Sequence, residues 1–182
     1  MREKKRWMIV AAALVAVGLA GCVTAAVESA KVGMLAFEND YDAAKPLDPK
    51  VMAKYKGYKL GAISAESDER SQEAGQKLPE RFVVFMEDDT HLVPGASPAV
   101  LISVKNIKVT KREGVVGVAL PKIDVIAEVT LTDADKGTLL GTATVSGKTG
   151  SRTVGNPMQM ASIIARATAK WIADNVKGKD RE

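Results

Sequence analysis

The chain has 182 residues, 46% hydrophobic but only 4% aromatic, with one cysteine and a formal net charge of +4. So few aromatic rings argue against a sugar-stacking or single-strand-binding platform, and a lone cysteine excludes an intrachain disulfide. At the amino terminus Arg2, Lys4, Lys5 and Arg6 stand against one acid, Glu3, and an uncharged apolar run follows from Trp7 to Ala20. A positive stretch before a short apolar run is the layout of an export signal. The run falls short of the roughly 20 residues that a permanent helical span needs, and no later run matches it.

The run ends in Leu19-Ala20-Gly21-Cys22. An aliphatic residue, two small residues and a cysteine at this place resemble the lipobox of bacterial lipoproteins. The resemblance implies a diacylated Cys22 thiol, cleavage between Gly21 and Cys22, and acylation of the new amine. Two or more acyl chains hold a protein stably on a bilayer, at about 0.8 kcal/mol per buried methylene. The expected organisation is therefore a signal peptide over 1–21, a tether over 22–30 and a single domain over 31–182. Removal of the first 21 residues, with four bases and one acid, leaves 161 residues and a net charge of +1. The basicity belongs to the export signal, and no nucleic-acid partner is expected. Val23 rather than aspartate follows the cysteine, which by the family's rule implies the outer membrane, facing the periplasm, in a diderm host.

Along the mature chain, Lys31 to Phe37 reads as a first short strand and 38–56 as a loop rich in Asp, Lys and Pro. Tyr58 to Ser64 reads as a second strand. From Glu66 the chain turns helical, with Asp68 and Glu69 suited to the positive end of the helix dipole. Pro79 would break an interior turn but could open a new helix. The spacing predicts helices over 66–77 and 79–87, and a competing reading makes Arg81–Met86 a strand. Val100, Ile102 and Val104 alternate on one parity and Ile107 and Val109 on the other, which predicts a bulge near Lys105-Asn106. Ile123, Val125, Ala127, Val129 and Leu131 mark a half-buried antiparallel strand. Asp133 to Gly137 turns the chain, and Leu139 to Lys148 returns as the hairpin partner. The last helix opens with Asn156 as cap, Pro157 and Gln159, presents Met160, Ile164, Ala167 and Trp171 on one face, and stops at Lys177-Gly178.

Helices on one face of such a sheet make a two-layer α+β domain with a mainly antiparallel sheet and a closing amphipathic helix. The Tyr58–Ser64 strand, the hairpin from Val129 through Asp133 to Gly137, and the last helix with Trp171 resemble the plan of small envelope lipoproteins of unknown function. That plan, over most of 57–177, is similar to the lipoproteins of curli secretion and to auxiliary lipoproteins of transport complexes.

Candidate chemistry is sparse. Asp133-x-Asp135-x-Gly137 suggests a calcium loop, but an EF-hand needs a glutamate at its twelfth position, which is Thr144, so a hairpin turn is expected. Glu87, Asp88, Asp89 and His91 bring three carboxylates to the only histidine and could hold a divalent metal or another ligand. One histidine is poor material for a zinc site, so a solvated acidic turn is the plainer reading, and no metal or other cofactor is expected. Arg152, before the last helix, could help bind an anion, although Pro157 removes an N–H and no Walker lysine is present. Lys54 to Lys59 mixes bases and aromatics and could touch head groups or an anionic polymer, or form an amphipathic strand edge. Nucleophilic catalysis would have to use His91, and no serine sits in a Gly-x-Ser-x-Gly elbow. The expected function is a non-enzymatic adaptor or accessory subunit with an envelope protein as partner. The alternative is a lipoprotein that binds a small lipid, glycan or metal, with a sizeable apolar pocket under the last helix.

Overall fold

A computed structural model describes residues 37–112, 122–149 and 156–176, all in the second of two compact units, Phe37–Glu182. Its elements in chain order are β1 (Phe37–Lys45), α1 (Pro49–Met52), β2 (Gly57–Ala65), α2 (Glu69–Thr90), β3 (Val93–Pro94), β4 (Ala99–Arg112), β5 (Lys122–Asp133), β6 (Leu139–Thr149) and α3 (Pro157–Val176). The strands form one sheet in the order β1-β6-β5-β4-β2-β3. The β1–β6, β6–β5 and β5–β4 pairs are antiparallel, and β2 pairs in parallel with both β4 and β3. This is a two-layer α+β domain that closes with its carboxy-terminal helix. No described helix is long and apolar enough to cross a membrane.

Alternation decides which face of the sheet is covered. Ile123, Val125, Ala127, Val129 and Leu131 of β5 are buried, as are Ala143 and Val145 of β6, under the helices. Their neighbours Glu128 and Lys148 are exposed, and Ile126 is 42% exposed. Among the described residues nothing covers that second face. The parity change in β4 occurs where the spacing predicts it. The β4–β5 register shifts between Lys105 and Lys108, and Asn106 sits at φ 53. Asparagine tolerates this left-handed conformation better than most residues. The hairpin turn also forms as expected, with Gly137 at φ 67.

Two expectations are corrected. Residues 38–56 are not a loop: Phe37–Lys45 is an edge strand paired with β6 from Phe37↔Thr149 to Lys45↔Thr142, and Pro49–Met52 is a helical turn. Glu38, Asp40 and Asp42 disfavour a central strand, but charges of this kind are suited to a sheet edge. Except for Phe37, the strand expected from Lys31 lies outside the described residues, as do the tether and the stop at Gly178.

Nor is there a break at Pro79. Glu69–Thr90 is one helix with Pro79 inside it, and Arg81–Met86 is neither a strand nor a separate helix. A proline inside a helix costs about 3 kcal/mol. Leu78, Phe82 and Met86 are fully buried on one stripe and Phe85 nearly so, and each such burial is worth about 1.5–3 kcal/mol. Packing therefore outweighs the proline. Helical spacing also turns Val83 outward, 48% exposed. Asp68 caps the helix by accepting from the Ser71 N–H at 3.0 Å, and Ser71 Oγ accepts from the Val109 N–H at 2.9 Å, tying α2 to β4. Hydrogen bonding from Ser71 holds the Asp68 carboxyl below its ordinary value.

α3 starts as expected, with Asn156 Oδ1 accepting from the Met158 N–H at 2.9 Å. Met160, Ile164, Ala167 and Trp171 are all buried. The helix lies close on β6. A Cβ on Gly147 would stand 2.4 Å from Ile163 Cγ2, and one on Gly141 2.5 Å from Leu47 Cδ2 and 3.2 Å from Trp171 Cζ2. The space beneath α3 at these positions is filled by side chains, which counts against an apolar ligand pocket there.

Candidate functional site

α2 ends where His91 takes the left-handed conformation, φ 61. Thr90 Oγ1 donates back to the Met86 carbonyl and accepts from the Leu92 N–H at 3.2 Å, which fixes the exit of the chain. This end of α2 borders an open cleft of about 500 Å³. Asp88 and Asp89 line it from α2 and His91 from just beyond that helix, Arg166, Lys170 and Asp174 from α3, and Asn39 from β1. The four residues singled out in sequence are thus divided. Asp88, Asp89 and His91 share the cleft. Glu87 does not line it; its charge instead acts on Tyr58, whose hydroxyl pKa is raised first by burial and then by Glu87. All four side chains are exposed.

On the far wall the Tyr41 hydroxyl donates to Asp174 Oδ2 at 3.1 Å, and Lys170 Nζ stands 5.7 Å from the centre of the Tyr41 ring. Burial raises the Tyr41 pKa, with Asp174 adding to the effect. Asn39 Oδ1 is buried without a hydrogen-bond partner. The lining holds acids and bases together but no serine, threonine or cysteine. Among the described residues no three His, Cys, Asp or Glu side chains converge on a point where a metal could sit. The arrangement suits polar contact with a partner or ligand and offers no nucleophile for His91 to activate. Asn39, Lys170 and Asp174 escape sequence reasoning because they come from an acid-rich edge strand and from the outer side of an amphipathic helix. No local spacing joins them.

Asp133 has a structural task. Its carboxylate accepts from the Tyr55 hydroxyl at 2.8 Å and from the N–H groups of Asp135 and Lys136 at 3.0 and 2.9 Å, with Lys54 at 4.0 Å. These bonds close the hairpin turn and pin it to the segment after α1. Tyr55 and Tyr58 are buried, so the Lys54–Lys59 stretch presents its lysines and not its rings. Burial and the Asp133 bond push the Tyr55 hydroxyl up to about 12. The donors around Asp133, the Lys136 N–H foremost, hold its carboxyl below the ordinary 3.8. A lowered folded pKa stabilises the fold above the unfolded value, and that contribution is lost as pH falls through the folded value. Asp133→Asn should therefore lower the melting temperature at neutral pH, and the gap to wild type should close in acid. Thermal unfolding across a pH series checks this. A gap that persists unchanged to about pH 2 would contradict the charge-based account.

A second open groove, of about 830 Å³, runs over the uncovered sheet face between Glu38 and Asp40 of β1, Ile126 of β5 and Arg112 of β4. Cys22, Gly21 and Arg152 lie outside the described residues.

No protein-family model matches the sequence, and no curated protein matches it. Solved structures do resemble the fold. A PelC dodecamer from Paraburkholderia phytofirmans is 12% identical with a TM-score of 0.48, over 75% of this chain and 96% of that one. A minor lipoprotein from Acinetobacter baumannii is 15% identical with a TM-score of 0.40, over 66% and 94%. At these identities and scores neither likeness carries a function across to this chain.

Proposed function

We propose that this protein is a non-enzymatic envelope lipoprotein, held on a membrane by acyl chains on Cys22, whose folded unit serves as an adaptor or accessory subunit for another envelope protein. The observation that carries the reading is Leu19-Ala20-Gly21-Cys22 at the end of a charged and then apolar export signal. With Val23 after the cysteine, the proposed place is the outer membrane facing the periplasm of a diderm host. The filled space under α3 weighs against a carrier of an apolar small molecule, and the mixed-charge cleft weighs toward polar contact with a protein.

Cys22→Ser tests the anchor. It should abolish acylation and leave a precursor that keeps its 21-residue signal, seen as a slower band and an intact mass without acyl groups. Normal processing and membrane release of that variant would overturn the lipoprotein reading. Crosslinking in intact cells, followed by recovery from solubilised membranes, tests the adaptor role. One envelope protein should be recovered reproducibly, and recovery of the chain alone would overturn it.

A further inference from the structure

The register sets out the uncovered face of the sheet row by row. Asp42 of β1 pairs with Thr144 of β6, which pairs with Glu128 of β5, which pairs with Lys105 of β4. The next row runs Asp40, Ser146, Ile126, Lys108, and the one beyond it Glu38, Lys148, Asp124, Thr110. These residues share the face turned away from the helices, because alternation along the strands buries Val125, Ala127 and Val145 on the other. The β1 side of the face is therefore acidic and the β4 side basic. Glu38, Asp40, Asp42, Lys105 and Lys108 are all exposed. Two of the charges already have neighbours, Asp124 with Arg112 and Lys108 with Glu66 at 3.1 Å. Ion pairs at a surface hold their charges only weakly, so both remain available to a facing group.

We infer that this face is the interface of a two-fold symmetric dimer of the chain, packed sheet on sheet about an axis that runs along the strands between β5 and β6. Such an axis sets β1 against β4 and β6 against β5 of the second copy and keeps each row opposite itself. Asp42 then faces Lys105, Asp40 faces Lys108, Lys148 faces Asp124 and Ile126 faces Ser146 of the second copy. No like charges face each other in these rows, and every contact occurs twice. The other face-to-face axis, across the strands, would set β1 on β1 and β4 on β4, acid on acid and base on base. Packed sheets cross at about 30°, which displaces the outer strands by about one residue, within the reach of a lysine side chain. Four strands about 4.8 Å apart and about seven residues long, at about 3.4 Å each, bury about 900 Å² over both copies, the size of a weak and reversible contact. The open groove of about 830 Å³ over Ile126 leaves room for the facing side chains. The same axis turns both Phe37 ends the same way, so two tethers can enter one bilayer. That last argument rests on the proposed acylation of Cys22, and the charge argument stands without it.

Sedimentation equilibrium of the full chain in detergent, over a concentration series, tests this. The mass should pass from one chain to two as concentration rises, and high salt should move that passage to higher concentration. Asp40→Lys with Asp42→Lys makes both sides of the face basic, and Lys105→Glu with Lys108→Glu makes both sides acidic. Each double variant should dimerise about a hundredfold more weakly, since like charges then face each other at both ends of the interface. An equimolar mixture of the two should regain the wild-type affinity, because the exchanged sides complement each other, and that recovery also shows both variants to be folded. A wild-type chain that stays single at every concentration, that grows beyond two, or that dimerises without regard to salt would overturn the inference. So would double variants that dimerise as well as wild type, or a mixture that does not recover. The mass of the Cys22 peptide reports the anchor separately. Dimers without acyl mass refute only the anchor, and acyl mass without dimers refutes only the interface.

Discussion

Trp171→Ala should destabilise the folded unit by about 3–5 kcal/mol, the range for deleting a fully buried large aromatic side chain. Trp171 is completely buried in the carboxy-terminal half of α3, and its ring meets β6 at Gly141 beside Leu47. Collapse cannot refill the space easily. Leu47 lies just before α1, and α1 packs on α3 through its buried Met52, so movement into the void would strip contacts from a second element. Urea unfolding followed by circular dichroism should report the loss, with a fall in melting temperature of about 10 °C or more. The indole Nε1 has no hydrogen-bond partner, so removing it orphans no acceptor and the cost is one of packing. Trp171→Phe should accordingly cost less, about 1–2 kcal/mol. A Trp171→Ala variant within about 1 kcal/mol of wild type would show that the contact between α3 and β6 is looser than the close approach at Gly141 indicates.

The same residue shows what the sequence makes legible. Met160, Ile164, Ala167 and Trp171 recur at helical spacing, the alternation from Ile123 to Leu131 runs unbroken on its buried face, and the parity change in β4 locates the bulge at Asn106. In each case the hydrophobic period and the local backbone agree. Where they conflict the sequence misleads. Asp40 and Asp42 argue against a strand, yet β1 forms because an edge needs pairing on one side only and its acids keep the open side soluble. Pro79 argues for a break, yet the stripe from Leu78 to Met86 holds α2 together across it. The cleft is less legible than the fold for a different reason. Asp88, Asp89 and His91 are neighbours in sequence, but Asn39 and Lys170 reach them only through the packing of β1 and α3. Cys22 is the reverse case, since its meaning is carried by local order alone.

Gly57→Ala should cost about 1–3 kcal/mol, the usual range for a group forced into filled space. A Cβ at this position would lie 2.1 Å from the Ala96 carbonyl oxygen, 2.6 Å from its carbonyl carbon and 2.8 Å from its Cα. All three atoms are backbone, so no side-chain rotation relieves the clash, and the strands must part. The site is poorly placed to yield. Gly57 is in register with both Val93 and Ala99, its N–H and that of Lys56 donate to the Pro98 carbonyl at 3.2 and 2.9 Å, and the Val93 and Gly95 N–H groups donate to Lys56 and Tyr58 at 3.0 Å each. Hydrogen exchange at Val93 and Gly95 should therefore accelerate well before that at Val129 or Val145, in the β5–β6 hairpin. Gly137→Ala is the control. That residue has a positive φ of 67 and nothing within 4 Å of an added Cβ, so its cost is conformational, about 1 kcal/mol. If Gly137→Ala proved the more damaging of the two, backbone freedom would be limiting, and the close seating of the 93–98 segment on β2 would have to be discarded as the reason for glycine at position 57.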